Sequence, residues 1–407
     1  MKLTQKSYRA SQLLLVGVSG FALNLCLTSG AAQAQVTRAK AWVWADRPTT
    51  TTTYTPALAY QYNSTGATNQ ATRLGVGQYR INFPGLATTG GTVHVSSYGG
   101  NHHCKVVNWG SSGTAQQVRV NCFTPNGAAV DGRFNVLFYK EASPSPNRTA
   151  AYLWANQPTT ASYTPNTIYQ WNSKGATNTV NRLGVGRYRA ILPSLNVVGG
   201  TVLVTAYGSG SESCKVVGWS SSGSNTSVNV NCFNSSGSPV DTTYNLSYMT
   251  DVVVGLEVSL GPHYGGYIWA NNATASSYTP LITYRFNNTG GGHSITRTAA
   301  GTYTVRFAYL KPSNRTIAQV TAYGTTGEYC TVNSWDSDGG SGTRVYIKCF
   351  NNSGSPVDQL FTLTYLTDQR VGTTIVRISE PTAIAGLLLF GMGLLWRRKK
   401  RILLNQG

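Results

Sequence analysis

Acidic residues are scarce in this sequence, 13 Asp and Glu in 407 residues, and histidine is scarcer still at 5. Hydrolytic catalysis needs a base beside a nucleophile or a positioned pair of carboxylates. His94, His102, His103, His263 and His293 do not recur between the repeats described below, and no G-x-S-x-G occurs, so an enzyme is not expected. The absence of C-x-x-C disfavours redox chemistry and zinc ligation. The body of the chain also lacks any Lys/Arg run that would mark a nucleic-acid groove. Between Gln35 and Ser379, 24 Lys and Arg stand against 12 Asp and Glu, a net charge near +12 dispersed among Gly, Ser, Thr and Asn. Weak attraction to acidic polymers or lipopolysaccharide is expected; specific nucleic-acid binding is not.

What is present begins with two distinctive ends. Residues 1–34 open on Lys2, Lys6 and Arg9, continue through an apolar run around Leu13 to Leu25, and close on Ala32-Gln33-Ala34. This is the pattern of a secretory signal peptide cut before Gln35, rather than a buried first helix. At the other end, Ser379-Glu380-Pro381 precedes an apolar stretch from Ala383 to Trp396, and Arg397, Arg398, Lys399, Lys400 and Arg401 follow. Residues 379–401 thus resemble the PEP-CTERM sorting signal of bacterial surface proteins, with Ser379 where that motif has its first Pro. The resemblance implies processing by an exosortase near Glu380 and Pro381, with the body of the protein left outside the membrane. Fourteen apolar residues at 1.5 Å each reach about 21 Å, short of the roughly 30 Å hydrocarbon core, which suits a transient transmembrane helix better than a plain permanent anchor. The basic cluster keeps that end cytoplasmic.

Signal removal takes Cys26 with it and leaves Cys104, Cys122, Cys214, Cys232, Cys330 and Cys349. An even number in an exported chain points to disulfides and away from metal ligation or any cofactor.

The chain repeats itself three times. Val43-Trp44-Ala45 returns as Leu153-Trp154-Ala155 and Ile268-Trp269-Ala270, and Tyr54-Thr55-Pro56 as Tyr163-Thr164-Pro165 and Tyr278-Thr279-Pro280. Arg73 to Tyr79, Cys122-Phe123 and Val130-Asp131 return in the same way. The modules span residues 39–140, 149–251 and 265–368, joined by linkers at Lys140 to Arg148 and Val252 to Gly265. About 110 residues suffice for a module to have its own core, and the length argues against three lobes closing on a shared one. Short alternating runs between Gly-, Ser- and Asn-rich turns, with no helical periodicity, predict tandem antiparallel β-sandwiches, immunoglobulin-like or jelly-roll-like. The module pattern resembles β-modules of exported bacterial proteins, a likeness that carries no activity.

Each cysteine pair brackets a hairpin. If Cys214 faces Cys232, then Val216 meets Val230 and Gly218 meets Val228. The same construction pairs Val106 with Val120 and Val332 with Ile347, and each bridge closes a loop of about 19 residues, contributing on the order of 3 kcal/mol. Strict alternation then places Trp219 opposite the bridge, among Lys215, Asn229 and Asn231, with Trp109 and Trp335 in the same place. These tryptophans are either a ligand platform or covered by a loop or the adjacent module. Tyr60/Tyr62, Tyr169/Trp171 and Tyr284/Phe286 are expected to pack in the core. Arg73, Arg182 and Arg297 are expected to pair with Asp131, Asp241 and Asp358. His102-His103 reads as a surface turn, and Asp336-Ser337-Asp338-Gly339 opens like a calcium loop but lacks the further acids that six to eight oxygen ligands require.

The resulting expectation is a non-enzymatic cell-surface or biofilm-matrix protein, binding polysaccharide through three weak sites with avidity. A purely structural spacer or coat is the alternative, and a secreted hydrolase trails both. Exposure of Trp109, Trp219 and Trp335 separates the first two: buried tryptophans favour the spacer.

Overall fold

The computed structural model describes residues 39–141, 144, 148–250, 263–310 and 315–370. The expected N-terminal signal peptide and the expected C-terminal sorting motif and transmembrane helix, with Glu380, Pro381, Arg397 and Arg398, lie outside the described residues. Among those described there is no α-helix; strands are joined by turns and one-turn 3-10 helices.

Module 1 shows the plan: β1 (Ala39–Ala45), β2 (Gln61–Asn63), β3 (Gln70–Gly75), β4 (Gln78–Phe83), β5 (Thr92–Tyr98), β6 (His103–Ser112), β7 (Ala115–Phe123) and β8 (Arg133–Lys140). Two half-sheets, in the orders β2-β1-β8-β5 and β3-β4-β7-β6, form a sandwich. Ala41, Val43, Phe134, Val136 and Phe138 from one half pack against Ile81, Phe83, Val106, Val118 and Val120 from the other. Burial of these aliphatic and aromatic side chains supplies the driving force for each module. The β3–β4 turn explains the recurrent R-L-G-V-G-x-Y. Gly77 sits at φ +65°, and a Cβ there would lie 2.6 Å from the Cys122 carbonyl oxygen. Only glycine fits, and Gly186 and Gly301 repeat the arrangement.

No half-sheet ends at its module's border. The β6 strand of module 1 continues in parallel into Thr201–Tyr207 of module 2, with Tyr207 opposite Val106. Strand Ser213–Ser222 of module 2 continues into Thr316–Tyr323 of module 3, with Val216 opposite Tyr323. Strand Tyr329–Ser337 of module 3 continues into β5, with Val332 opposite Tyr98. Each junction is sealed by one equivalent bond, from Gly208, Gly324 and Gly99 N–H to the carbonyls of Val106, Val216 and Val332. The modules therefore form a closed ring of three seams, 1 to 2, 2 to 3 and 3 to 1, built from two nine-stranded sheets and one eight-stranded sheet.

Closure creates a fourth core. Trp42, Leu137 and Tyr139 of module 1 meet Tyr152, Trp171, Leu203 and Met249 of module 2 and Tyr267, Ile317 and Leu366 of module 3. The length-based expectation of no shared core is overturned: each module keeps an interior of its own and also contributes to a common one. Beside this apolar centre lies a cyclic polar set. Asn135 donates to Ala318 O at 3.1 Å, Asn245 to Val93 O at 2.9 Å and Thr362 to Val202 O at 2.6 Å.

Candidate functional site

The disulfide hairpins place the residues singled out by sequence. The three bridges are Cys104–Cys122, Cys214–Cys232 and Cys330–Cys349, all within modules. Val106, Val216 and Val332 face Val120, Val230 and Ile347 as expected. The next step departs from expectation. In every hairpin a β-bulge leaves Val107, Val217 or Asn333 without an opposite residue, so Gly218 pairs with Asn229 rather than Val228, and Trp219 pairs with Val228. One extra residue reverses the face of everything after it. Trp109, Trp219 and Trp335 consequently turn inward.

They do not stand on an open strand face. Trp109 and Trp335 are 8 % exposed and Trp219 is partly buried. Each indole enters an aromatic cluster supplied by the next module. Trp109 lies 5.8, 5.5 and 5.5 Å from Trp154, Tyr169 and Tyr207. Trp219 lies 5.6, 5.5 and 6.0 Å from Trp269, Tyr284 and Tyr323. Trp335 lies 5.6 and 5.5 Å from Tyr60 and Tyr98, which also pack on Trp44. Edge-to-face geometry dominates, the arrangement aromatic quadrupoles prefer. Indole N–H groups donate to Gly90 O, Gly199 O and Thr316 Oγ1. The i, i+2 aromatic pairs divide their work: Tyr60, Tyr169 and Tyr284 join the seams, whereas Tyr62, Trp171 and Phe286 pack at the common core.

The arginine–aspartate pairs form as expected. Arg73, Arg182 and Arg297 reach Asp131, Asp241 and Asp358 at 2.9, 2.7 and 2.8 Å. Each carboxylate also accepts from a turn glycine, Gly77, Gly186 or Gly301, and from Tyr79, Tyr188 or Tyr303. Hydrogen bonds from Arg182 and Arg297 hold the Asp241 and Asp358 carboxyls below the usual range. The recurrent acid is a structural clamp.

A small cavity of about 60 Å³ is lined by all three modules, through Ser96, His103, Thr205, Thr321 and the bridged Cys104, Cys214 and Cys330 among others. Sequence reasoning missed its charges. Buried Lys105 binds Glu212 at 2.6 Å, and buried Lys215 binds Glu328 at 3.2 Å, each pair crossing a seam. Burial pushes the Lys215 ammonium down to about 8 against the opposing pull of Glu328. At the third seam the lysine position holds Thr331, which donates to Gly100 O, and the glutamate position holds His102, bonded to Arg133 O. A signal was present in the sequence. The lysine recurs only in modules 1 and 2 and the glutamate only in modules 2 and 3, the offset that pairing one module with the next requires.

His94, His103 and His293 are likewise committed. His94 is fully enclosed between Thr205 Oγ1 at 3.2 Å and Ser247 Oγ at 2.6 Å, and burial pushes its imidazole down to about 3. His103 begins β6 rather than standing in a surface turn; it contacts Ser211 O, and burial lowers it to about 4. His293 bonds Phe286 O. Asp336 binds Arg344, while Asp338 takes Arg306 and the Gly340 and Gly342 N–H groups, so these carboxylates close a hairpin. Among the described residues no group of three or more His, Cys, Asp or Glu is placed to hold a metal, and no helix is long and apolar enough to cross a membrane.

Comparison with family models, curated proteins and solved structures finds no match.

Proposed function

We propose that this chain is a non-enzymatic, exported structural protein, a coat or spacer of a cell surface or extracellular matrix. One observation carries the reading: the residues repeated in the modules are spent on holding the ring. Trp109, Trp219 and Trp335 fill seams, and the Arg–Asp pairs clamp turns. Three intra-module disulfides suit an oxidising, extracellular setting. In this reading residues 1–34 direct export, and residues 379–401 are a PEP-CTERM-like signal handled by an exosortase-type enzyme.

The reading replaces polysaccharide capture by exposed tryptophans. A glycan array probed with the folded chain tests it. No binding dependent on Trp109, Trp219 or Trp335 is expected, whereas binding lost in Trp→Ala variants that remain folded would restore the platform. Processing is tested separately by changing Glu380 and Pro381 to Ala. The tail should then stay uncleaved and the protein membrane-retained, and an unchanged mass of the surface product would contradict the sorting role.

A further inference from the structure

The ring has two ends, and their exposed apolar side chains differ. Strands β5, Thr201–Tyr207 and Thr316–Tyr323 run toward the cavity that Ser96, Thr205 and Thr321 line. The residues leading into them lie at the opposite end, against the one-turn 3-10 helices Leu58–Tyr60, Thr167–Tyr169 and Ile282–Tyr284 of neighbouring modules. Gly200 N–H donates to Thr283 O, Arg315 N–H donates to Ala59 O, and a Cβ on Gly90 would lie 2.0 Å from Ile168 O. All three modules leave aliphatic side chains exposed at this end: Leu58 at 64 %, Ile282 at 77 %, and Ile168, Val198 and Leu281. Val198 precedes Gly199, where a Cβ would lie 1.9 Å from Thr283 O, so the exposed residues of modules 2 and 3 adjoin.

Tyr309 joins them. Strand Thr302–Phe307 starts beside Cys349 at the cavity end and delivers Tyr309 to the other, 65 % exposed and at φ +59°, where modules 1 and 2 have Gly85 and Ser194. A bulky residue in this conformation is strained, and Tyr309 is too exposed for packing to offset the cost. Among the described residues, the other large apolar side chains left exposed are Leu74, Val76, Leu183 and Val185, on the cavity end and from two modules only; module 3 has Thr298 and Ala300 there. The course of the chain marks the same end as Tyr309. The last strand, Leu360–Arg370, leaves there: Thr367 pairs with Thr316, and Asp368 N–H donates to Arg315 O, beside the Leu58 turn. Twelve residues then separate Arg370 from the apolar run that begins at Ala383, a reach of at most about 40 Å.

We propose that this end of the ring is a face that rests on a lipid bilayer. Exposed apolar side chains gathered on one end mark an interaction surface, and a flat bilayer meets all three modules at once. The aliphatic residues enter the interface, and Tyr309 sits at headgroup level, where an aromatic ring with a polar tip is favoured. The tail leaves from the same face and keeps it turned to the membrane; after cleavage the face alone holds the ring on that surface. The inference rests on the exported, tail-bearing reading given above.

The test is flotation of the full chain with vesicles of phosphatidylcholine and phosphatidylglycerol, with the tail intact or broken by Leu388→Arg and Phe390→Arg. Tail-broken chains should still float, and adding Leu58→Asp, Ile168→Asp and Ile282→Asp should lower their binding at least about tenfold. Leu74→Asp, Val76→Asp and Val185→Asp add the same charge at the cavity end and should leave binding unchanged. Tyr309→Gly relieves the strained conformation, so it should raise thermal stability while weakening binding, a combination that a merely structural tyrosine would not give. No binding by the tail-broken chain, or equal losses from the two Asp sets, would overturn the proposal. Dimers that form without vesicles and vanish with the Leu58, Ile168 and Ile282 substitutions would assign the face to a second ring and overturn it too. The tail is read separately, by carbonate extraction: the intact chain should resist and the tail-broken chain should be released. Release of both, with the face-dependent flotation kept, would contradict the tail reading and leave the face standing.

Discussion

In module 1 the outer half-sheet, β3-β4-β7-β6, and the inner one, β2-β1-β8-β5, are drawn from similar short runs of Val, Tyr, Phe, Ser and Asn, yet they obey different rules. Along β4, buried Tyr79, Ile81 and Phe83 alternate with the less buried Gln78, Arg80 and Asn82, as expected of a sheet with one wet face. Along β5 every residue from Thr92 to Ser97 is buried, and β8 is buried from Phe134 to Tyr139. The inner half-sheet is covered on both faces, by its own module on one side and by the other two on the opposite side. A polar residue there meets another module instead of water, which is why Asn135, Asn245 and Thr362 each reach a carbonyl of a neighbouring module. Alternation of polar and apolar residues thus reports that a strand has two different faces. It does not report that one of them is solvent.

The sharpest way to break this comparison is to truncate an apolar residue on the inner half-sheet. Trp42→Ala should cost about 3–5 kcal/mol in denaturant unfolding, because Trp42 is fully buried in the common core. Arg80→Ala on the outer face should stay within about 0.5 kcal/mol. Equal effects would mean the common core does not form.

The charged part of the seam gives the next effect. Glu212→Gln leaves Lys105 buried without its carboxylate and should destabilise by about 3 kcal/mol, whereas Lys105→Met with Glu212→Leu should fall within about 1 kcal/mol of wild type. The third seam already holds without the pair, and a severe loss in the double variant would contradict that lesson.

Buried polar groups come third. Asn135→Ala should cost about 1–3 kcal/mol by leaving Ala318 O unpaired, and Asn82→Ala much less. Thermal melts of the two variants make the comparison.

The smallest effect at neutral pH comes from His94. Its folded value is lowered to about 3, so the fold favours the neutral ring. That contribution is complete above the unfolded value near 6.5 and is lost as pH falls from there toward 3, at no more than about 1.4 kcal/mol per pH unit. His94→Leu, the residue found at the equivalent Leu203, should flatten this part of a stability–pH curve. An unchanged curve would remove His94 as the cause.

Much of the module was legible in the sequence. The repeat gave matching registers around Val106, Val216 and Val332, the three disulfides, and the pairing of Arg73, Arg182 and Arg297 with Asp131, Asp241 and Asp358. The tryptophan face was not legible, because a bulge at Val107, Val217 or Asn333 is a single extra residue with no distinctive side chain, and it inverts an argument built on strict alternation. Ring closure was hidden for a different reason. Its parallel junctions join strands about a hundred residues apart or more, as Val106 to Tyr207 and Tyr98 to Val332, and leave no local pattern. Only the staggered occurrence of Lys105 and Lys215 against Glu212 and Glu328 encoded the order of the modules.

The central claim is that three modules with private interiors form one cooperative structure because their inner half-sheets share a core. Differential scanning calorimetry of the full chain with intact disulfides tests it most directly. A single transition for the strand-rich body, with calorimetric and van't Hoff enthalpies in agreement, is predicted. Three resolvable transitions, each with the enthalpy of about a hundred residues, would show independent modules and contradict the account.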